Sequence, residues 1–346
     1  MEKPTETQRF LYMDILNIAA CFAVLVLHCS GTFFTYTPDS VWKLSLLLQV
    51  LARWAVLVFL MLTGANLLSY CEKYSTAVFF RKRLLRTFLP FLLWSGIWLV
   101  WKVVNGQAQI SGVRDVITAF TSNGCQNIYW FFYMLFAIYL AIPVISPLFR
   151  AENIRRIRYF YLVILFFTAI LPLFTYYTGI PVSSDFTFPL TAGNFGFVIL
   201  GWLMARTEFK GWQKLLIWLS GILGAVWMYF GAYHDIARSA EHTAQSVFLS
   251  YNSLPTAAMS AAVFLLAKSV PWGFLRRLHL AGAVRALAGA SFGIYLIHMF
   301  PIQYINRAVS NHSAVYMLIM PFLVYAFCAL IVVIVRKIPV LRRIFP

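Results

Sequence analysis

The chain has 346 residues, of which 61% are hydrophobic and only 11% are charged, and its mean hydropathy is +0.77. Soluble proteins carry roughly 25% charged residues, so this composition excludes an ordinary soluble fold. The formal net charge of +17 would suit a nucleic-acid-binding protein, but its distribution along the chain excludes that class.

Ten apolar segments follow one another along the chain, and each approaches the roughly 20 residues that a helix needs to cross a bilayer. They lie near residues 10–31, 46–70, 87–105, 128–149, 159–178, 188–205, 212–232, 246–268, 286–306 and 314–335. The first segment is too long for a signal peptide, and no small-residue cleavage site follows it. We therefore predict an all-α fold, a polytopic membrane helix bundle of about ten transmembrane helices. No connection is long enough for a second domain, so residues 1–346 are interpreted as one integral membrane domain.

Basic residues are concentrated in alternate connections between these segments. They are Lys73, Arg81, Lys82, Arg83, Arg86, Arg150, Arg155, Arg156, Arg158, Arg206, Lys210, Lys214, Lys268, Arg276, Arg277, Arg285, Arg336, Lys337, Arg342 and Arg343. The intervening connections hold few basic residues, which is the positive-inside pattern. The charge therefore predicts membrane topology, with both termini in the cytoplasm and no nucleic acid as a partner.

The first apolar segment carries a polar stripe. At 100° per residue, Asp14, Asn17, Cys21 and His28 fall on one narrow face of a helix. An ionisable side chain inside hydrocarbon is costly and usually faces a cavity or a partner, so His28 is a candidate catalytic base. Asp14 lies about 21 Å from His28 along the helix axis and cannot orient its imidazole. Cys21 is either an acyl carrier or a small packing residue, and packing is favoured.

Later segments repeat this pattern of polar residues at membrane depth. Arg53 lies at a depth similar to that of His28 and either stabilises an anion or extends to the outer interface. Arg83 and Arg86, three residues apart, suit a polyphosphate, although the positive-inside rule alone also accounts for them. In the ninth segment, Ser291, Tyr295 and His298 share one helix face. A buried histidine such as His298 is either functional or a hydrogen-bonded packing residue.

The connections give weaker signals. The sequence VRDVITAF, within the outer connection 105–127, predicts a short helix. The outer connection 231–246 contains two histidines and two acidic residues, but their spacing matches no metal signature, so we predict solvated loop residues and no metal. Five cysteines do not form a disulfide framework, and a single Cys29–Cys125 bridge stays open.

Over nearly its whole length the chain resembles the acyltransferase-3 family of bacterial ten-helix membrane proteins. The resemblance lies in the first helix from Asp14 to His28, in Arg53 with VFLMLTG, in Arg83 and Arg86, in YWFFYMLFAIYLAIP around Trp130, in Gly201, and in SFGIYLIH ending at His298. Each motif alone is moderately specific, and their order and spacing together are a strong signal. Two positions depart from its pattern: Asn17 stands where a basic residue is common, and Ile128-Tyr129-Trp130 stands where His-Leu-Trp is frequent.

The resemblance implies an O-acyltransferase of the bacterial inner membrane. Its acyl-CoA donor, usually acetyl-CoA, would bind on the cytoplasmic side, and the acceptor would be a hydroxyl of a cell-surface or lipid-linked glycan. His28 would act as base or acyl relay. The other implied roles are catalysis for His298 and Arg53, coenzyme A binding for Arg83, Arg86, Asn17 and Asp14, and substrate lining for Trp130, Tyr295 and Ser291.

Two other functions remain open at this stage. A transporter or flippase would explain the membrane spans and His28 but not the ordered motifs, and an inactive binding relative would explain Asn17. We expect no fused extracytoplasmic domain, so the membrane unit would deliver the acyl group itself or hand it to a separate partner. A homo-oligomer is equally compatible with the sequence.

Overall fold

The computed structural model describes residues 6–186, 194–339, 341, 344 and 345, with only the backbone for residues 6–10. These residues form helices and no strands. The α-helices are α1 (Glu6–Cys29), α2 (Ser40–Ala52), α3 (Trp54–Leu67), α4 (Thr76–Arg83), α5 (Leu89–Val104), α6 (Val113–Thr121), α7 (Trp130–Ile145), α8 (Ile154–Leu165), α9 (Leu171–Thr178), α10 (Phe195–Arg206), α11 (Gly211–Arg238), α12 (Leu254–Ser269), α13 (Gly273–Arg277), α14 (Ala281–Ile297), α15 (Met299–Ile305) and α16 (Ala314–Val335).

The predicted membrane bundle is confirmed. In the described part of the chain, eight helical stretches are long and apolar enough to cross a membrane. The pair α14 and α15, bent by 50°, forms either a ninth, broken span or a re-entrant segment. The short apolar helix α10 occupies the place of the sixth predicted segment, 188–205, whose first residues lie outside the described part. Helix α6 confirms the short helix predicted in the connection 105–127.

Two membrane helices contain a wider, π-helical turn just before a proline. The turn Leu84–Phe88 joins α4 to α5 and precedes Pro90, and the turn Phe166–Ile170 joins α8 to α9 and precedes Pro172. Proline has no N–H to donate, and its ring clashes with the carbonyl four residues earlier, so the preceding turn widens. The first of these turns contains Arg86.

Helices α3 and α10 cross with their backbones in close contact. A Cβ atom added to Gly64 would lie 1.7 Å from the carbonyl oxygen of Val198, and one added to Gly201 would lie 2.0 Å from that of Met61. Both glycines therefore let two backbones touch, which is the usual role of small residues at membrane helix crossings. The crossing places α3, which begins beside Arg53, against the rest of the core.

Helix α1 lies at the centre and packs against α2, α3, α12, α14 and α16. Its polar stripe therefore faces other helices, as the cost of charge in lipid requires.

One predicted loop is helical instead. We placed residues 231–246 in a solvated outer loop, but α11 continues to Arg238 and includes His234 and Asp235. Asp235 is a structural acceptor, because it binds the hydroxyls of Tyr176 and Ser246. The described residues contain no group of three or more His, Cys, Asp or Glu side chains placed to hold a metal ion.

Candidate active site

A cavity of about 540 Å³ opens between α1, α3, α7 and α14, and we call it the inner cavity. The polar and charged residues that line it are Asp14, Asn17, Thr63, Asn66, Arg83, Arg86, Thr87, Tyr139, Ser291, Tyr295 and Arg336. The structure thus brings together all four residues predicted to bind a cofactor. It also adds Arg336, a residue just after α16 to which the sequence analysis gave no role beyond topology. Three guanidinium groups around one cavity suit a ligand with several phosphates.

The arginine pair is held by its local structure. The Arg83 guanidinium lies 5.9 Å from the ring centre of Phe79 and 5.6 Å from that of Tyr139. Its Nε atom is buried and has no hydrogen-bond partner among the described residues. Arg86 lies in the π-helical turn and is exposed. An anion in the cavity would give the buried Arg83 Nε the acceptor it lacks.

On another wall of the inner cavity, Asn17 donates a hydrogen bond of 3.0 Å to the carbonyl oxygen of Ala288 in α14. Asp14 is attracted by the charge of Arg285, which lies on the same helix as Ala288. Ser291 also lines this cavity, and its hydroxyl donates to the Leu287 carbonyl. These contacts join α1 to α14 at the basic end of the bundle.

A second cavity of about 190 Å³, the outer cavity, lies farther along α1. Its polar and aromatic lining consists of His28, Phe34, Gln49, Arg53, Phe59, Trp130, Phe131, Tyr251 and Tyr295. His28 and Arg53 therefore line the same cavity, which agrees with the similar depth predicted for them. Trp130 and Tyr251 stack with their ring centres 5.5 Å apart and form an aromatic wall beside them.

Arg53 sits at the break between α2 and α3 and turns inward. Its Nε and Nη2 atoms donate to the carbonyl oxygen of Leu249, at 2.9 and 2.6 Å, and its guanidinium carbon lies 4.7 Å from the ring centre of Tyr251. This geometry favours a role in the cavity over an arginine that extends to the interface. No acidic residue in the described part of the chain forms an ion pair with Arg53.

Gln49 is a residue of this cavity that sequence reasoning missed. Its amide nitrogen donates to the carbonyl oxygens of Leu27 and Ser30, at 2.7 and 3.2 Å, and to the Ser30 hydroxyl at 3.0 Å. It thereby fixes the last turn of α1, which carries His28. The available signal was a lone amide one helical turn before Arg53 in an apolar segment.

His298 stands behind His28 rather than in the cavity wall. The two imidazole ring centres are 5.2 Å apart, and His298 is fully buried at the bend between α14 and α15. Its Nδ1 lies 2.8 Å from the carbonyl oxygen of Tyr295, so Nδ1 carries the hydrogen and Nε2 is left as an acceptor. Among the described residues nothing binds that Nε2. Of Ser291, Tyr295 and His298, which the sequence places on one helix face, only Tyr295 lines the outer cavity.

The two cavities meet at three aromatic side chains. Phe59, Phe131 and Tyr295 line both, and the Phe131 ring centre is 6.2 Å from each of the other two. The Tyr295 hydroxyl is fixed because it donates to the carbonyl of Ile128. Along α1 the distance from Asn17 to His28 is roughly 16 Å at 1.5 Å per residue. A cavity lined by three arginines thus adjoins one that contains an imidazole and a guanidinium.

The cysteines line neither cavity. Cys21 is buried and its thiol donates to the carbonyl of Ser291, which supports the packing role over an acyl carrier. Cys29 and Cys125, for which a bridge was left open, are both free thiols in this structure.

An apolar helix bundle with this pair of cavities defines an integral membrane protein with a site inside it, and comparison with known families specifies its class. Residues 10–336 match the acyltransferase domain family, and they cover nearly the whole chain. The protein belongs to the acyltransferase-3 family and is a membrane acyltransferase. Neither the curated proteins nor the solved structures gave a match to the chain.

Proposed function

We propose that the protein is an O-acyltransferase that moves an acetyl group from cytoplasmic acetyl-CoA to a hydroxyl of a cell-surface or lipid-linked glycan in the bacterial inner membrane. The observation that carries this proposal is the junction of the two cavities at Phe59, Phe131 and Tyr295. A transporter needs no cluster of arginines at one end and no imidazole facing a guanidinium at the other. The alternate basic connections support a cytoplasmic inner cavity.

The donor would lie along α1. Its phosphates would bind among Arg83, Arg86 and Arg336, and Asp14 and Asn17 would hold the neighbouring wall in place through α14. The flexible arm of the coenzyme would extend past Ser291 and the three aromatic residues, so that the thioester reaches His28. The acceptor sugar would enter the outer cavity and stack against Trp130 and Tyr251, because aromatic faces pack well on the apolar faces of sugar rings.

The chemistry then follows from the side chains of the outer cavity. His28 takes the proton from the acceptor hydroxyl while that oxygen attacks the thioester carbonyl carbon. Arg53, already fixed on the Leu249 carbonyl, stabilises the negative charge that develops on the carbonyl oxygen. The carbon–sulfur bond breaks, and the imidazolium returns its proton to the thiolate. The products are the acetylated glycan and free coenzyme A.

Transfer by membranes that contain the protein tests this proposal. Membranes with wild type, His28→Ala or His234→Ala would receive acetyl-labelled acetyl-CoA, and the release of thiol and the label in lipid-linked and polymeric glycan would be measured. Wild type and the His234 control, whose histidine is exposed near the end of α11, should transfer label, and His28→Ala should not. A wild type that neither binds nor consumes acetyl-CoA would leave a transporter or an inactive binding protein as the better reading.

A further inference from the structure

The three arginines of the inner cavity come from two different walls. Arg83 and Arg86 belong to α4 and the π-helical turn after it, and Arg83 packs on Tyr139 of α7. Arg336 belongs to the wall built by α1, α14 and α16, which pack against one another. The cavity therefore offers a pair of neighbouring guanidinium groups on one wall and a single guanidinium on another.

Gly289 determines where the single guanidinium lies. A Cβ atom added to Gly289 would be 2.5 Å from Nη1 of Arg336 and 3.3 Å from its guanidinium carbon. The guanidinium therefore rests on the surface of α14 at a place that only glycine leaves open. The residue before it, Ala288, accepts the hydrogen bond from Asn17, so this wall presents one guanidinium beside a neutral amide, with the Asp14 carboxyl one turn away on α1.

Coenzyme A carries phosphate in two separate places, a diphosphate bridge and a 3′-phosphate on the ribose. The 3′-phosphate is a monoester, so it carries a charge between −1 and −2 near neutral pH, and arginine binds such a group through two parallel hydrogen bonds. We propose that Arg336 binds the 3′-phosphate of the donor while Arg83 and Arg86 bind its diphosphate. The inner cavity thereby selects 3′-phosphorylated donors. This assignment rests on the proposed function.

Two donors that differ only in this group provide the test. Purified protein in nanodiscs would be assayed with acetyl-CoA and with acetyl-dephospho-CoA, which lacks the 3′-phosphate, and kcat/KM would be measured for each. Wild type should prefer acetyl-CoA by about 10- to 100-fold, the range for one lost charge-assisted contact. In Arg336→Gln the ratio of the two values should fall towards one. In Arg86→Gln both values should fall and the preference should remain.

Matched variants separate this role from general charge and from folding. Lys337→Gln removes the adjacent, exposed positive charge and should keep the wild-type preference. Gly289→Ala keeps Arg336 but displaces its guanidinium, and alanine suits a helix, so this variant should fold and still lose the preference. It tests the proposal even if Arg336→Gln does not fold.

Each failure has a distinct form. A wild type that uses both donors equally well would overturn the 3′-phosphate assignment and leave the acyltransferase proposal intact. If Arg336→Gln lowered kcat/KM for both donors by the same factor, Arg336 would not be the residue that binds the 3′-phosphate. A wild type that uses neither donor would contradict the proposed function itself.

Discussion

The two histidines differ in their surroundings although their ring centres are only 5.2 Å apart. His28 lines the outer cavity, whereas His298 is enclosed and tied to the backbone through Nδ1. The free Nε2 of His298 is the one unpartnered polar atom of this side chain. In the proposed mechanism His28 would therefore exchange protons with substrate, and His298 would position His28.

Two amide substitutions of His298 separate these roles. Asparagine places its amide near the position of Nδ1 and keeps the donor to the Tyr295 carbonyl, whereas glutamine places its amide near Nε2. We expect His298→Asn to fold and to lower kcat by about tenfold, with KM for acetyl-CoA unchanged, because His298 touches neither cavity. His28→Ala should lose about 10²- to 10⁴-fold, the usual contribution of a general base. Initial rates with thermal unfolding as the folding control would measure both.

The pH profile of kcat distinguishes the two roles, because it would stay unchanged if His298 were only a packing residue. If His298 positions His28, the pH at which activity rises should shift in His298→Asn and return towards wild type in His298→Gln, which restores a polar group near Nε2. A loss in His298→Asn as deep as in His28→Ala would instead make His298 the base. An unchanged profile would reduce His298 to a packing residue.

At the scale of helices, hydropathy located the eight spanning stretches of the described chain and the bent pair of α14 and α15, because apolar length is a property of local sequence. The sequence did not reveal the break at Arg53 or the bend at His298, since both depend on contacts with distant helices. Pro90 was a sequence signal for the π-helical turn at Leu84–Phe88. That signal does not predict on which side of the helix Arg86 lies. The predicted end of α11 was wrong, because the polar residue Asp235 is hydrogen-bonded within the fold and the helix continues past it.

The crossing of α3 and α10 gives a prediction about stability. Gly64→Ala should force the two helices apart, because its Cβ would overlap the Val198 carbonyl. Overpacking in a core typically costs about 1–3 kcal/mol, and backbone cannot move aside as a side chain does. We expect a lower melting temperature in detergent and, because Thr63 and Phe59 lie on the same helix, a loss of activity.

Gly282→Ala is the matched control for this crossing. Gly282 lies in α14, has nothing within 4 Å of an added Cβ, and should tolerate alanine with no loss of stability. Equal melting temperatures for Gly64→Ala and Gly282→Ala would show that α3 and α10 are not in backbone contact in the membrane.

At the scale of the whole molecule, the direction of the bundle determines which substrate can reach which cavity. Among the five cysteines, Cys71 is exposed and the other four are buried. The positive-inside pattern predicts that Cys71 lies in the cytoplasm. A membrane-impermeant maleimide should therefore label the wild type in inverted vesicles and leave it unlabelled in intact spheroplasts.

An exposed position at the opposite end of the bundle completes the topology test. Ala240→Cys in a Cys71→Ser background should show the reverse labelling, because Ala240 follows the far end of α11. Labelling of Cys71 in intact spheroplasts would show that the bundle has the opposite orientation, with the inner cavity outside and away from cytoplasmic acyl-CoA.

The junction of the two cavities was beyond sequence reasoning, because its three aromatic side chains come from helices far apart in the chain. On the proposed path, an acyl group must pass Phe59, Phe131 and Tyr295 to reach His28, so this constriction should limit the size of the acyl group. Phe131 packs against both of the other rings. Phe131→Ala should therefore admit longer acyl chains.

Initial rates with acetyl-CoA, butyryl-CoA and hexanoyl-CoA would measure this effect. We expect the rate with hexanoyl-CoA relative to acetyl-CoA to rise about tenfold in Phe131→Ala, in line with the 10- to 200-fold that a pocket gains or loses per methylene. Water should also pass the widened junction more easily, so hydrolysis of acetyl-CoA without acceptor should increase. Phe230→Ala, which removes an exposed ring from α11, should change neither quantity. If the chain-length ratio stays at the wild-type value while transfer continues, the acyl group reaches His28 by another route, and the two cavities then act on their substrates from separate entrances.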